Sequence, residues 1–282
     1  MAESERKERL REAIAAVAKK RETVAYAVSV HDLESGFRFS ENGGQLFHAA
    51  STIKVAILLA LFKAVDDGRI RTSDPLVVRN RFLSAVDGTP FRLDSESDGY
   101  PQLYRSIGRT ARISDLAESM IIWSSNLATN LLLDYVGTDY AATVLEQAGV
   151  SGVHLRRGVE DEKAHEQGMN NETTADGLVA LFAALRGDFL SKKSREQVIH
   201  ILLEQKFTSM LPAGLPAHAT VAHKTGEIST ACHDAGIVYL PEREPYIVAV
   251  LTQVDRDKNG KREAVKEISE AVYHAVIGKK GK

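Results

Sequence analysis

The sequence predicts an α/β protein of the α+β sandwich type, with one antiparallel sheet built from both ends of the chain. Strand patterns occur close to the N-terminus and again in the last quarter of the 282 residues. Amphipathic helix patterns lie outside them at each end, and the long central part is dominated by helix patterns. These observations imply a sheet flanked by the terminal helices, together with an all-helical lobe.

The first quarter of the chain contains a helix, a hairpin and a buried helix. Apolar residues recur at helical spacing among charges over residues 4–20, which predicts an amphipathic helix. Residues 24–32 alternate roughly in polarity, and residues 37–39 follow a Glu-Ser-Gly turn, which predicts a hairpin. Residues 51–65 are apolar on nearly every side before the stop signal Asp-Asp-Gly, so this helix should be buried.

The middle of the chain is mainly helical. Residues 70–112 are irregular and contain several Pro and Gly residues. Helix patterns then cover 113–122, 124–136, 138–148, 174–186 and 191–204. A polar connection, residues 150–172, separates two of these helices, and we call it the omega loop. Its length indicates a functional role rather than a simple turn.

The last quarter returns to strands and closes with a helix. Strands are predicted at 220–223, 236–240 and 246–254, and a helix at 263–277. We therefore predict one domain over residues 1–282. Its sheet lobe would comprise about 1–48 plus 205–282, and its helical lobe about 49–204. A cleft between two such lobes is a natural binding site.

Composition excludes several classes of function. The formal net charge is -2 and aromatic residues make up 6%, which argues against a nucleic-acid partner. The single cysteine, Cys232, precludes an intrachain disulfide or a multi-cysteine zinc site and is expected to be buried. No H-E-x-x-H motif or glycine-rich nucleotide loop occurs, so we expect no metal and no cofactor.

The chain also lacks the marks of a membrane or exported protein. No apolar run approaches the roughly 18 residues of a membrane span, and the N-terminus does not have the pattern of a secretory signal. These features predict a cytoplasmic monomer for the chain as given. A trimmed mature form of a periplasmic or secreted protein would have the same appearance.

The first chemical motif is Ser51-Thr52-Ile53-Lys54 at the start of the predicted buried helix. Residues i and i+3 share one face of a helix. A serine needs a nearby base to become a nucleophile, and a lysine amine can serve when its pKa is lowered. A capping serine followed by an exposed lysine would give the same pattern. However, a lysine on a buried helix is energetically costly unless it has a role.

Two further motifs follow. In the second, residues 124–126, Ser124 is suited to relay a proton and Asn126 to hold a substrate amide, although both types also cap helices. The third is Lys224-Thr225-Gly226, at the end of a predicted edge strand. Its lysine can hold a carboxylate, and its glycine would let substrate backbone approach. Each motif alone has an ordinary structural explanation.

Together, the motifs occur in the order S-x-x-K, S-x-N and K-T-G. This set is found in class A β-lactamases and penicillin-binding proteins. The sequence resembles the class A β-lactamase-related family from about residue 10 to 277, most closely around residues 124–133. The S-x-N form also distinguishes it from class C relatives, which have a tyrosine there.

The resemblance implies a serine hydrolase that forms a covalent acyl-enzyme. By similarity, Ser51 is the acylated nucleophile, Lys54 its general base, and Ser124 the donor of a proton to the leaving nitrogen. Backbone N–H groups of Ser51 and Glu227 would form the oxyanion hole. The implied substrate-binding residues are Asn126, Lys224, Thr225, Gly226 and Glu227. No metal is implied, and the substrate would be a β-lactam or a D-Ala-type peptide.

The omega loop departs from the family pattern E-P-x-L-N. The family's deacylating acid aligns with Glu160, with Asp161 and Glu162 as rival candidates. Asp161 stands in place of the proline, and Ala164 in place of the asparagine.

Two further family features are altered. Gly158 replaces the arginine that braces the loop in the family. The acidic residue that pairs with this arginine falls near Glu172, so Glu172 is expected to have no ion-pair partner. Ser125 replaces the usual aspartate of the second motif. The resemblance thus implies intact acylation residues and altered deacylation residues.

Two other regions bear on function. The stretch from Arg79 to Thr110 is longer than the matching region of the family, so Tyr100 or Tyr104 is a candidate wall of the substrate site. His233 and Asp234 are adjacent in a strand region, and adjacent strand residues face opposite ways. We therefore interpret them as structural or rim residues rather than as a catalytic dyad.

Three functions remain open at this point. The first is β-lactam hydrolysis of class A type. The second is a related serine hydrolase, such as a D,D-peptidase or esterase, with slow or no β-lactam turnover. The third is a catalytically silent binding module that keeps the fold.

Overall fold

The computed structural model describes residues 2–255 and 260–278. The predicted domain also includes residues 1, 256–259 and 279–282, which lie outside the described residues. The helices are α1 Glu3–Lys20, α2 Lys54–Asp66, α3 Ile113–Ile122, α4 Asn126–Val136, α5 Thr138–Gln147, α6 Glu162–Glu166, α7 Ala175–Arg186, α8 Lys192–Leu203 and α9 Lys261–Ile277. Short 3-10 helices occupy Ala50–Ile53, Pro101–Ser106 and Pro212–Gly214.

The strands are β1 Ala25–Asp32, β2 Arg38–Glu41, β3 Phe47–His48, β4 Pro75–Val77, β5 Phe82–Leu83, β6 Pro90–Phe91, β7 Thr110–Arg112, β8 Val153–His154, β9 Glu172–Thr173, β10 Thr220–Ile228, β11 Ala231–Tyr239 and β12 Tyr246–Gln253. Five of them form the main sheet in the order β10-β11-β12-β1-β2. Strands β1 and β12 pair antiparallel along their whole length, from Ala25 opposite Gln253 to Asp32 opposite Tyr246. The two ends of the chain therefore meet inside one antiparallel sheet, which confirms the predicted fold class.

Each face of the sheet is covered by helices. Because strand side chains alternate between faces, Val28 and Val250 pack in one hydrophobic cluster with residues of α1 and α9. Ala27 and Ala249 pack in the other cluster, which includes α2, α7 and α8. The terminal helices pack against each other as well as against the sheet. The predicted amphipathic N-terminal helix is thus explained by its Leu10 and Ile14 stripe.

Helix α2 is the buried helix that the sequence predicts. All residues from Lys54 to Phe62 are buried, and α2 contacts α3, α4, α5, α7 and α8. Lys54 is fully buried (0% exposed), although it is charged in water. A helix surrounded on all sides fixes its first turn firmly, so the groups beside Lys54 have little freedom to move.

The third motif lies elsewhere in its strand than the sequence predicts. Strand β10 extends to Ile228, so Lys224-Thr225-Gly226 lies inside the strand rather than at its end. Strand β11 likewise begins at Ala231, before the predicted start. Lysine and glycine have low intrinsic strand preference. Here the pairing of Lys224 with Ala235 and of Gly226 with His233 overrides that preference.

Candidate active site

Ser51 lies in a 3-10 turn directly before α2. The turn spans Ala50–Ile53 and is supported by a hydrogen bond of 2.6 Å from Thr52 Oγ1 to the Ala49 carbonyl. Ser51 is only half-buried and borders a cleft of about 380 Å³ that also includes Ser124, Asn126 and Thr225. All three sequence motifs are therefore represented around one cleft.

Three residues at or beside this cleft have a strained backbone conformation. Ala50, Ser124 and Glu160 have φ values of 47°, 59° and 58°, in the left-handed region that residues with a side chain rarely adopt. Such strain persists only where surrounding structure enforces it, and it is typical of functional sites. Each of the three residues is the predicted nucleophile's neighbour or a predicted catalytic residue.

The Lys54 amine faces the second motif. Its Nζ donates hydrogen bonds to the Ser124 carbonyl (2.6 Å), to Ser124 Oγ (3.0 Å) and to Asn126 Oδ1 (2.7 Å). The hydroxyl of Ser51 is not among these acceptors. Catalytic hydrogen bonds often tighten only when substrate is bound, so the shared helix face still allows Lys54 to reach Ser51.

The environment of Lys54 lowers its basicity. Burial lowers the pKa of the amine from its usual 10.5 to about 7, although the nearby Asp98 and Glu160 carboxylates oppose this shift. Near neutral pH a substantial fraction of the amine is therefore neutral and has a lone pair. That is the condition that a lysine general base requires.

Ser124 is held between two lysines. Its Oγ accepts hydrogen bonds from Lys54 Nζ at 3.0 Å and from Lys224 Nζ at 3.1 Å. A serine hydroxyl has two acceptor lone pairs and one proton. With both lone pairs occupied, the remaining O–H is left to point away from the lysines. Burial and the adjacent Lys54 lower the pKa of Lys224 well below its usual value.

The third motif is packed against the nucleophile turn. A Cβ on Gly226 would come within 3.0 Å of Thr52 Cγ2 and 3.1 Å of the Ala49 oxygen. Gly226 therefore makes room for the turn that carries Ser51, and its expected role in admitting substrate backbone stays a prediction. The same contact brings Ser51 and Glu227 to the border of one cavity, where their backbone N–H groups are predicted to form the oxyanion hole.

The side chain of Glu227 is neutralised by two cations. Its carboxylate pairs with Lys261 at 3.0 Å and with Arg262 at 2.8 Å, both at the start of α9. Arg262 also borders the main cleft. The acidic side chain therefore does not present an unpaired charge beside Thr225.

Glu160 reaches the same site from the omega loop. Together with Ser51 and Asn126 it lines a second cavity of about 270 Å³. Glu160 Oε1 accepts a hydrogen bond of 2.5 Å from Asn126 Nδ2. Burial raises the pKa of this carboxyl, against the lowering effect of that hydrogen bond. Asn126 thus bridges Lys54 and Glu160 through the two ends of one amide.

The two rival acids lie elsewhere. Asp161 is buried and accepts hydrogen bonds from Ser84 Oγ (2.9 Å), the Ala85 N–H (2.8 Å) and the Ala164 N–H (3.2 Å). It caps α6 and ties the omega loop to the 84–85 turn. Glu162 is exposed in the first turn of α6. Of the three acids, Glu160 alone shares a cavity with Ser51.

The omega loop is braced by residues that the sequence analysis did not identify. Glu172 forms an ion pair with Arg156, so the expectation that Glu172 has no ion-pair partner is wrong. Arg157 is buried, and its Nε donates to the Met169 carbonyl at 2.7 Å. Asn171 Oδ1 accepts from the N–H groups of Arg156 and Arg157. The paired strands β8 and β9 close the neck of the loop.

Asn130 of α4 clamps the backbone next to Glu160. Its Oδ1 accepts from the Val159 N–H at 2.8 Å, and its Nδ2 donates to the Val159 carbonyl at 3.0 Å. A Cβ at Gly158 would come within 2.9 Å of Asn130 Oδ1. Gly158 therefore permits this clamp, which restrains the loop backbone next to Glu160.

We expect the Asp161→Ala variant to be less stable than the wild type by about 2–4 kcal/mol. The substitution leaves the Ser84 hydroxyl and the Ala85 N–H without their acceptor and removes the cap of α6. Urea denaturation measures the difference. Glu162→Ala is the matched control, because an exposed neighbouring acid should change stability by less than about 1 kcal/mol. Equal effects of both variants would contradict the anchoring role of Asp161.

The long 79–110 segment reaches the cleft, but its tyrosines do not line it. Ser97 and Gly99 border the cleft instead. Tyr100 stacks on Trp123, with ring centroids 6.0 Å apart, and Tyr104 donates to Asp98 Oδ2 at 3.1 Å. The predicted tyrosine wall is therefore wrong. The tyrosines support the rim from behind, because the Tyr100 ring stacks on Trp123 and the Tyr104 hydroxyl donates to Asp98.

Asp98 is a site residue that the sequence analysis missed. Its Oδ2 accepts from the Leu127 N–H at 2.8 Å and from Ser125 Oγ at 3.3 Å. Ser125 stands where the resembled family has an aspartate, and here a carboxylate is supplied to this turn from a distant segment. No local pattern around Asp98 points to this contact, since it depends on how the 79–110 segment folds back.

The open rim of the cleft is partly aromatic. Trp123 and Phe207 are 40% and 39% exposed, and both border the cleft with Met210. A Cβ at Gly99 would lie 1.9 Å from the Trp123 carbonyl, so the 79–110 segment packs tightly behind this rim. Sequence patterns gave no reason to select Phe207 or Met210, because they follow helix α8 in an irregular stretch.

His233 and Asp234 are structural residues inside the sheet. His233 Nε2 bonds to the His48 carbonyl at 3.0 Å. Asp234 instead contacts His223 Nδ1 at 2.8 Å and accepts from the Leu211 N–H at 3.0 Å. Burial lowers the pKa of His233 to about 4, which keeps the ring neutral. Cys232 is fully buried, and burial raises its pKa to about 12.

Within residues 2–255 and 260–278, no helix combines the length and apolar character needed to cross a bilayer. No set of three or more His, Cys, Asp or Glu side chains there could hold a metal ion.

Comparison with known proteins decides the family. Residues 9–276 match the model of the β-lactamase enzyme family. The chain belongs to this family. It is an enzyme of the β-lactamase family, as the three motifs predict. Similar curated proteins include β-lactamase ROB-1 of Haemophilus influenzae, 26% identical over 88% of this chain and 79% of that protein. Another is β-lactamase BRO-1 of Moraxella catarrhalis, 24% identical over 85% and 76% of the two chains.

Solved structures share the fold of this β-lactamase family member. PBP-A is 28% identical, covers 94% of this chain and 95% of its own, and has a TM-score of 0.80. A mutant of PBP-A was solved as an acyl-enzyme complex with penicillin G. A variant of the last common ancestor of Gram-negative bacteria β-lactamase class A is 26% identical over 95% and 98% of the chains, with a TM-score of 0.82.

Proposed function

We propose that this protein hydrolyses β-lactams through a covalent acyl-enzyme on Ser51. One observation carries the proposal: the Asn126 amide bridges Lys54 and Glu160 beside the cavity that contains Ser51. A base for acylation and a carboxylate for deacylation are thereby held against one nucleophile. Family membership and the similarity to named β-lactamases support the same reaction.

Acylation begins with neutral Lys54. The amine takes the Ser51 proton as Oγ attacks the lactam carbonyl, forming the C–O bond of a tetrahedral intermediate. The negative oxygen is stabilised by the backbone N–H groups of Ser51 and Glu227. Collapse breaks the C–N bond, and the leaving nitrogen takes the Ser124 hydroxyl proton. Lys54 then returns its proton to Ser124, to which it is hydrogen-bonded at 3.0 Å.

Deacylation needs a second base. Glu160 takes a proton from water, the resulting hydroxide attacks the ester carbonyl, and the C–O bond to Ser51 breaks. The raised pKa of Glu160 makes it a stronger base than an ordinary carboxylate. Glu160 gives the proton that it took from water to the departing Ser51 Oγ, which restores both groups, and the opened product leaves.

Binding involves the same motifs. Lys224 and Thr225 bind the substrate carboxylate, and an anion there would favour the charged form of Lys224. The Asn126 amide has a second N–H beyond the one donated to Glu160, and it binds the acyl carbonyl of the substrate. All of these residues belong to one chain, so we propose that activity requires only a monomer.

The experiment is a time course of the acyl-enzyme. Wild-type protein is mixed with penicillin G, and intact-protein mass spectrometry follows the adduct. Peptide mapping should locate it on Ser51. Under our proposal the adduct clears within seconds and hydrolysed penicillin accumulates. Absence of both adduct and product would overturn the proposal.

A second function remains supported by a specific observation. The omega loop lacks the family's E-P-x-L-N pattern around Glu160, and PBP-A is among the similar structures. A D,D-peptidase or esterase with slow β-lactam turnover would keep the penicillin adduct for hours. A catalytically silent binding module would form no penicillin adduct and would not react with a fluorophosphonate probe.

A further inference from the structure

Asp98 is a buried carboxylate from the long 79–110 segment, and its hydrogen bonds converge on one point of the site. It is 7% exposed. Its Oδ2 accepts from the Leu127 N–H (2.8 Å), Tyr104 OH (3.1 Å) and Ser125 Oγ (3.3 Å). Its Oδ1 accepts from the Tyr100 N–H at 2.7 Å. Four donors for one buried carboxylate exceed what a simple surface turn requires.

The partners of Asp98 surround the second motif. Ser125 lies between Ser124 and Asn126, and Leu127 follows them in the first turn of α4. A carboxylate at a helix N-terminus stabilises that turn through N–H donation and through the helix dipole. Fixing this turn fixes the Ser124 carbonyl, the Ser124 hydroxyl and Asn126 Oδ1, which are the acceptors of the Lys54 amine.

We propose that Asp98 is a positioning residue for acylation, which holds the Ser124–Asn126 turn against Lys54 and supplies a nearby negative charge to that amine. This inference rests on the proposed function, because it assigns Lys54 the role of general base. Asp98 itself contacts neither the cleft surface nor Ser51 in the described structure. It acts through Ser125, Leu127 and the electrostatic field at Lys54.

The charges that face Lys54 come from three elements. Asp98 from the 79–110 segment and Glu160 from the omega loop both raise the pKa of Lys54. Lys224 from β10 lies on the other side of Ser124, and burial and Lys54 lower its own pKa. Removing the Asp98 charge therefore leaves Lys54 with Glu160 as the remaining carboxylate of the two. The neutral amine should then persist to lower pH.

The test is the pH dependence of acylation in Asp98→Asn. Asparagine keeps the shape and an acceptor for the Leu127 N–H, but it has no charge. The acidic limb of the acylation rate, set near pH 7 in the wild type by Lys54, should move lower by on the order of 1 pH unit. Asp98→Ala should show the same shift and a further loss of about 10-fold or more in the plateau, because the turn also loses its acceptor. Asp94→Asn, an exposed acid in the same segment, should leave the profile unchanged.

Two probes keep the two proposals distinguishable. Acylation is followed with penicillin G and, separately, with a fluorophosphonate, which reacts with an activated serine whatever its natural substrate. Reaction with the fluorophosphonate alone would reject β-lactam hydrolysis and still yield the pH profile. An unshifted acidic limb in Asp98→Asn, with either probe, would overturn the role of Asp98. So would a loss of rate that is equal at every pH.

Discussion

The Lys54→Met variant is expected to acylate about 10²–10⁴ times more slowly than the wild type while remaining folded. A positioned general base contributes roughly this factor to proton transfer. Methionine matches lysine in length, is unbranched and fills irregular core space. The fully buried position is therefore filled, and only the amine is lost. Stopped-flow measurement of the acylation rate with nitrocefin checks the result.

The Lys54→Met variant should lose activity but gain stability relative to the wild type at neutral pH. The pKa of Lys54 is near 7 in the folded protein, against 10.5 ordinarily, so burying this amine opposes folding at neutral pH. Because the unfolded state binds more protons between these values, the wild type should gain stability as the pH rises from about 7 toward 10.5. Lys54→Met lacks this pH-dependent component. Its stability relative to the wild type should be greatest at pH 7 and below.

Two controls define the assay. Ser51→Ala removes the attacking oxygen and sets the background rate of nitrocefin opening. Lys63→Met changes a more exposed lysine of the same helix, which is paired with Asp67, and should keep the wild-type acylation rate. A Lys54→Met variant that acylates as fast as the wild type would show that another group, such as Glu160 acting through a water, is the base for Ser51.

The sequence was sufficient to select the motif residues that the structure brings together at the cleft, because each motif is local. Ser51 and Lys54 share one helix face, and Ser124 and Asn126 begin the next helix of the site. The apolar run after Lys54 also revealed its burial, from which a lowered pKa follows. The motifs could be assigned to one site because their order along the chain resembles that of one family.

The residues that the sequence analysis missed act over long distances in the chain. Asp98 contacts Leu127 across 29 positions, and Asn130 contacts Val159 across 29 positions. Nothing in the pattern around either residue marks such a pairing, since Asp and Asn are also common as ordinary turn residues. The ion pair of Glu172 was not predicted, for a related reason. Its partner Arg156 occupies a different position from the lost arginine, so comparison by alignment alone overlooked it.

Glu160→Gln is expected to acylate normally and then stall. Glutamine has nearly the same shape and can still accept the hydrogen bond from Asn126 Nδ2, so the omega loop should keep its position. It cannot take a proton from water, and loss of a general base slows a step by roughly 10²–10⁴-fold. Penicillin should therefore remain attached to Ser51, with acylation within about 10-fold of the wild-type rate. Intact-protein mass spectrometry over minutes to hours resolves the two steps.

Glu162→Gln is the matched control, because it removes one charge two residues away on the exposed face of α6. It should turn over like the wild type. A Glu160→Gln variant that never acylates would assign Glu160 to the first step, in competition with Lys54. Unchanged turnover would mean that the hydrolytic water is activated elsewhere. Accumulation of the Ser51 adduct in Glu160→Gln alone would instead mean that a loop without the family's E-P-x-L-N pattern still deacylates. Its anchors, Asp161, Asn130 and the Arg156–Glu172 pair, would then be sufficient to hold the base in place.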